Sequence, residues 1–194
     1  MATVDEAAAA LRDGELVVYP TETVYGLGAD ALDAAAVERV FEAKGRDRDK
    51  PVSLAVPDVE AAREYTRPSD RELAFMREFL PGPVTVVVER TDAVPDVLVA
   101  GRDRVGVRIP DHDLALELLA ETGPLTATSA NISGNPSARS VDDLDAIRER
   151  AALVLDAGET DGGTGSTVVN VDSGTIHRRG AHADAVESWL ADRD

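Results

Sequence analysis

Amphipathic helical segments alternate with short β-branched strands along the whole chain, which predicts one α/β domain built on a twisted, mixed β-sheet flanked by helices. Two further observations support that class. Hydrophobic residues are 43% of the 194, enough to fill a sizeable core, and neither an internal repeat nor a linker interrupts the alternation. Aromatic residues are only 4%, so the core must be built from Ala, Val, Leu and Ile, with Trp189 as the one large indole. Residues 1–194 are therefore read as a single domain.

Taken in order, residues 4–11 are alanine-rich and helical in character, stopped by Asp13-Gly14, and residues 15–19 read as a short buried strand running into Pro20. Residues 20–28, Pro-Thr-Glu-Thr-Val-Tyr-Gly-Leu-Gly, follow as a loop. Asp33 can cap a helix reaching Phe41 and Ala43, because Val37, Val40 and Phe41 fall on one face. Residues 52–56 read as a strand, 58–65 and 70–80 as helices, and 83–89 as a strand after the Pro81-Gly82 turn. Residues 105–109 form a further strand, Asp113 caps a helix through Ala120, 125–128 is a strand, and Ser140 starts a helix through Arg150. Strands over 153–155 and 167–171 and an amphipathic helix over 183–190 complete the pattern.

The formal charge is −17, from 37 acidic against 20 basic residues. Arg replaces Lys almost throughout, a combination that points to adaptation to molar salt, with an acidic mesophilic protein as the alternative. The only lysines, Lys44 and Lys50, share one segment, Lys44-Gly45-Arg46-Asp47-Arg48-Asp49-Lys50-Pro51. A compact cationic cluster in a chain that otherwise repels phosphate marks an anion site. At 1 M salt the Debye length is only ~3 Å, so such a site must rely on direct contacts. With no cysteine, disulfides, thiolate metal sites and Cys nucleophiles are excluded. No apolar run reaches the ~20 residues of a membrane span and the N-terminus lacks a signal pattern, so a cytoplasmic protein is expected.

Four loops have polar and glycine content that a packed core does not need. Residues 20–28 offer the hydroxyls of Thr21, Thr23 and Tyr25, with Gly26 and Gly28 open to backbone approach, although an ordinary strand-to-helix turn has the same composition. Lys44 and Arg46 could neutralise phosphate oxygens, Arg by bidentate contacts, or could compensate the dipole of the helix they end. Residues 126–134, Thr-Ala-Thr-Ser-Ala-Asn-Ile-Ser-Gly, open from a strand end, where Ser129 and Asn131 would face a crevice or satisfy their own turn. Residues 158–167 are glycine-rich but lack the Lys of a Walker A loop, so composition favours a flexible lid or linker. His112, His177 and His182 have no metal-site spacing.

Six motifs occur in a fixed order: residues 20–28, Lys44-Gly45-Arg46, Leu80-Pro81-Gly82-Pro83-Val84-Thr85, Val107-Arg108-Ile109-Pro110, Ser129-Ala130-Asn131 and Ser166-Thr167-Val168-Val169. Together they resemble the YrdC-like threonylcarbamoyl-AMP synthase family over residues 5–182. The resemblance implies a YrdC-like fold. It also implies condensation of L-threonine, bicarbonate and ATP to threonylcarbamoyl-AMP with release of pyrophosphate, for later transfer to tRNA by a threonylcarbamoyl transferase complex. By motif position, Lys44 and Arg46 are the implied catalytic residues; Thr23, Arg108 and Ser166 the L-threonine contacts; Lys44, Arg46, Lys50, Ser129, Asn131, Ser137 and Arg178 the ATP contacts. Mg²⁺ would arrive with ATP, near Ser129 and Asn131, without a dedicated metal site. Attack of a carbamate anion on a polyanionic nucleotide makes charge neutralisation the main task of such a site, and no protein nucleophile is needed.

Three positions depart from the family pattern. Lys50 stands where Asn is frequent, Ala55 where longer members carry a substrate-contacting His, and Arg104 replaces a small hydroxyl residue. The end of the chain after Leu190 resembles the short, single-domain branch. Two other functions share the fold: an RNA-binding module without catalysis, and a carbamoyl-adenylate-forming domain that uses carbamoyl phosphate. The net charge argues against direct tRNA binding, which weakens steeply with salt.

Overall fold

The computed structural model describes residues 2–192. In chain order the elements are α1 (Val4–Arg12), β1 (Val17–Tyr19), β2 (Gly26–Gly28), α2 (Ala34–Lys44), β3 (Ser53–Ala55), α3 (Val59–Tyr65), α4 (Asp70–Phe79), β4 (Val84–Glu89), α5 (Asp96–Val99), β5 (Arg104–Arg108), α6 (Asp113–Thr122), β6 (Leu125–Ala127), α7 (Ile147–Arg150), β7 (Leu153–Val154), β8 (Thr167–Asn170), β9 (Thr175–Arg178) and α8 (Ala183–Asp192), with a 3-10 turn at Val141–Asp143. Helices start where the sequence supplies a side-chain acceptor. Thr3 with Glu6 and Ser69 with Glu72 make reciprocal capping boxes on α1 and α4, and Asp33 and Asp58 cap α2 and α3.

The strands form a six-stranded sheet in the order β6-β3-β5-β4-β8-β9 and a three-stranded sheet β2-β1-β7, each mixing parallel and antiparallel pairs. Bridges from Gly26 to Ser129 and from Asp30 to Leu125 join the two. Side chains alternate across the larger sheet. Leu54, Val84, Val86, Val88, Val105, Val107 and Val169 enter a core closed by Phe41 of α2, Phe75 and Met76 of α4, and Trp189 of α8. Trp189 lies edge-on to Phe75 at 4.9 Å and donates its Nε1–H to Glu78 Oε2 (2.7 Å). Ser53, Ala55, Thr85, Val87, Arg104, Gly106, Arg108 and Val168 take the opposite face. Among the described residues no helix is long and apolar enough to cross a membrane.

Four expectations change. Residues 20–28 hold the strand β2, and α5 and β9 are additional elements. Asp113 is the first residue of α6, and His112 occupies the cap position without a side-chain hydrogen bond. The helix expected over 140–150 breaks into the 3-10 turn and α7. Ser140 and Asp143 close a capping box, but Leu144 then turns extended (φ −65°, ψ 110°). Asp145 Oδ2 instead accepts from Ile132 N–H (3.2 Å) and Asn135 Nδ2 (3.0 Å), so a tertiary contact outcompetes helix continuation.

Candidate functional site

The polar face of the six-stranded sheet floors a cavity of about 770 Å³, walled by Tyr19, Thr21 and residues 23–26, by 127–129 and by 165–166. Its floor is open because Gly106 has no side chain: a Cβ there would sit 2.5 Å from Ser53 Oγ and 2.9 Å from Thr85 Cγ2. Arg46, Arg102, Arg104, Arg108 and Arg178 line it against one aspartate, Asp103. In a chain of net charge −17 this concentration of guanidinium groups makes the cavity locally cationic.

Arg108 projects from β5 and is largely buried. Its Nη2 donates to Glu22 Oε1 (2.9 Å) and Thr23 Oγ1 (2.7 Å), while Glu22 Oε2 accepts from Asp111 N–H (3.2 Å). On the other wall Arg178, from β9, donates through Nε to Ser166 O (3.0 Å) and through Nη2 to Ser166 Oγ (2.9 Å), and Ser166 Oγ also meets Thr85 Oγ1 (2.8 Å). Partial burial lowers the proton affinity of Arg178, with Arg108 and Arg46 adding repulsion. Burial does the same to Arg46. The Arg46 guanidinium is aimed by the carbonyls of Lys50 and Pro51, both at 2.9 Å.

Thr23, Arg46, Arg108, Ser129, Ser137, Ser166 and Arg178 thus share one cavity. Lys44, Lys50 and Asn131 do not line it. Lys44 is 1% exposed, and its Nζ donates to Asn131 O (2.8 Å) and to Ser129 O beneath the loop. Desolvation, reinforced by Arg46, lowers its pKa to about 8. Lys50 is exposed and contributes its carbonyl. Asn131 turns its Nδ2 to the carbonyls of Ile132 and Asn135, leaving Oδ1 buried with no hydrogen-bond partner. Among the described residues no cluster of three His, Asp or Glu could hold a metal ion.

Sequence reasoning missed several groups that line the cavity or hold its lining side chains. Glu22 lay inside a recognised loop but carried no signal apart from its neighbours. Ser53 looked like any strand serine. Arg104 lines the cavity as an arginine whose Nη2 is held by the buried Glu72 and by Val87 O (2.9 Å); burial raises the pKa of Glu72. Ala55 also lines it, with no polar side chain to offer.

The glycine-rich segment 158–165, expected as a flexible lid or linker, is fastened to the wall. Tyr25 Oη donates to Gly158 O (2.7 Å), Thr160 Oγ1 to Thr23 O (3.0 Å) and Gly162 N–H to Glu22 O (3.1 Å). Gly162 lies so close that a Cβ would approach Thr23 Cα to 2.7 Å.

Comparison with known proteins places this architecture. The Sua5, YciO and YrdC family, described as Telomere recombination, matches residues 9–180. A threonylcarbamoyl-AMP synthase of Pyrococcus abyssi is 43% identical over 85% of this chain and 49% of its own length. One from Bacillus subtilis is 41% identical over 86% and 49%. The crystal structure of P. abyssi Sua5 complexed with L-threonine superposes with a TM-score of 0.85 at 39% identity, covering 91% of this chain and 54% of that one. The chain therefore spans about half the length of these relatives.

Proposed function

Because the chain belongs to the Sua5, YciO and YrdC family, we propose that it is an L-threonylcarbamoyladenylate synthase, a nucleotidyltransferase of tRNA modification. The observation that carries this reading is the convergence of Arg46, Arg108 and Arg178 with Thr23 and Ser166 in one cavity. Such a set suits two anionic reactants that must meet, a carboxylate-bearing amino acid and a nucleotide triphosphate.

The amine of L-threonine adds to bicarbonate, forming a C–N bond and releasing water. The resulting carbamate oxygen attacks the α-phosphorus of ATP, the bond from that phosphorus to the bridging oxygen breaks, and pyrophosphate leaves. Arg108, aligned by Glu22, pairs the threonine carboxylate or carbamate, with Thr23 beside it and Ser166 contributing from the facing wall. Arg46 and Arg178 neutralise the phosphates, and Ser129 and Ser137 complete the nucleotide contacts. No side chain needs to form a bond to substrate. Positioning two reactants and stabilising developing charge is the work required, and one such donor is worth ~10²–10³ in rate.

Magnesium enters as the ion carried by ATP, supplying further neutralisation of phosphate charge. Its protein ligands would be neutral oxygens near Ser129 and Asn131, where Asn131 Oδ1 is buried without a hydrogen-bond partner. The product would pass in the cytoplasm to a threonylcarbamoyl transferase acting on tRNA, and the acidic composition suits work in concentrated salt.

The test is pyrophosphate release from Mg-ATP in molar KCl, with L-threonine and bicarbonate added singly and together. Release that requires both is the expected result. Release driven by carbamoyl phosphate would replace this reading with the carbamoyl-adenylate one, and no release with any combination would reject it.

A further inference from the structure

Lys44 and Arg46 are two residues apart but serve opposite sides of one loop. Gly45 between them adopts the left-handed conformation (φ 57°, ψ 36°) at the end of α2. The turn sends Lys44 into the interior and leaves Arg46 in the cavity wall. The Lys44 ammonium donates to the carbonyls of Ser129 and Asn131, and the Lys44 carbonyl accepts from Ser133 N–H (2.8 Å). These bonds bracket residues 129–133. Asp145, just before α7, holds the same stretch through its carboxylate, which accepts from Ile132 N–H (3.2 Å). A carbonyl oxygen is the negative end of its dipole. Two of them turned toward an anion would oppose its binding, whereas two held on a buried ammonium cannot turn that way.

Resting on the synthase reading above, we propose that Lys44 is a positioning residue of the anion site. It holds the carbonyls of Ser129 and Asn131 beneath the loop, presents the Ser129 side chain to the cavity, and makes no contact with the triphosphate. Direct phosphate contact in this segment belongs to Arg46. The paired cations thus divide the work, one shaping the site from behind and the other neutralising the ligand from within.

Because Lys44 and Lys50 are the only lysines, amine acetylation read by mass spectrometry tests the proposal on the wild-type protein. Lys50 should react readily while Lys44 is spared, with and without Mg-ATP. A Lys44 that reacts as fast as Lys50 in the free protein and is protected by Mg-ATP would be a phosphate contact, and the proposal would fall. The second arm compares wild type with Lys44→Met for ATP affinity by calorimetry and for deuterium uptake over residues 129–133 without ligand. Faster exchange with affinity weakened roughly tenfold or more is expected, the scale of losing hydrogen bonds from a charged donor. Weakened affinity with unchanged exchange, or unchanged affinity, would overturn it. Inorganic triphosphate is the parallel probe. A wild type that binds triphosphate but not ATP retires the synthase reading, and the Lys44→Met comparison is then made on triphosphate. Binding of neither probe rejects both.

Discussion

Arg108 owes its aim to Glu22, whose second oxygen is anchored by the Asp111 N–H, so the guanidinium is held at both ends of a short chain of contacts. Glu22→Gln keeps the shape but removes the charge that pairs a largely buried cation. We expect kcat/KM for L-threonine to fall on the order of tenfold to a hundredfold, the scale of a misplaced positioning group, with the KM for ATP unchanged. Equal losses on both substrates would assign Glu22 to the fold instead. Tyr19 offers a pH test. Burial raises its pKa to about 12, and its hydroxyl donates to Thr126 O (3.2 Å). Between pH 10 and 12 the unfolded chain loses this proton and the folded one keeps it, so stability falls as pH rises through that window. At neutral pH Tyr19→Phe should be less stable by about 1 kcal/mol, the lost hydrogen bond. Toward pH 12 the difference should shrink and invert, since two pKa units correspond to roughly 2–3 kcal/mol. Urea unfolding of both proteins at pH 7 and at alkaline pH reads this, and a constant difference would refute it. At this scale the sequence marked loops that the fold brings to one cavity, but direction escaped it. Lys44 and Arg46 belong to one motif, and only the left-handed turn at Gly45 sends one inward and the other to the cavity.

At the scale of elements, the capped helices and β-branched strands were legible because local chemistry specifies them. Asp33, Asp58 and Ser69 sit where the helices begin, and the runs of valine in β4 and β5 read directly as strands. Short elements were not legible. β2 is Gly-Leu-Gly, with no strand propensity, and pairs with β1 because its glycines let the Tyr19 ring lie against them. The helix over 140–150 failed because Asp145 satisfies the 131–135 loop. Residues 158–165 read as a lid by composition, yet Gly162 is glycine because backbone of Glu22 and Thr23 occupies the space a side chain would need. Gly162→Ala should therefore lose roughly 1–3 kcal/mol of stability in urea unfolding and reduce activity through displacement of Thr23. Gly163→Ala, whose Cβ meets only the Arg139 side chain at 3.5 Å, should remain close to wild type in stability. Similar behaviour of the two variants would mean that the loop is not held as described.

Over the whole molecule, a charge of −17 makes the folded state self-repelling, while the arginine-lined cavity supplies local charge of the opposite sign. Raising KCl shortens the Debye length from about 10 Å at 0.1 M to about 3 Å at 1 M and should raise the urea midpoint over that range. A midpoint that stays flat or falls would show that repulsion among surface carboxylates does not limit stability. Composition, the alternating pattern and the order of six motifs were enough to determine fold class and family, because those features reside in local runs of residues. The cavity was decided by tertiary structure alone. Its key pairs, Glu22 with Arg108 and Thr85 with Ser166, are 86 and 81 residues apart, and strand pairing is what brings them within hydrogen-bond distance. A one-dimensional pattern holds which side chains are available. Which of them face the same space depends on sheet register and on the turns that aim each residue, and those follow from contacts made only in the folded chain.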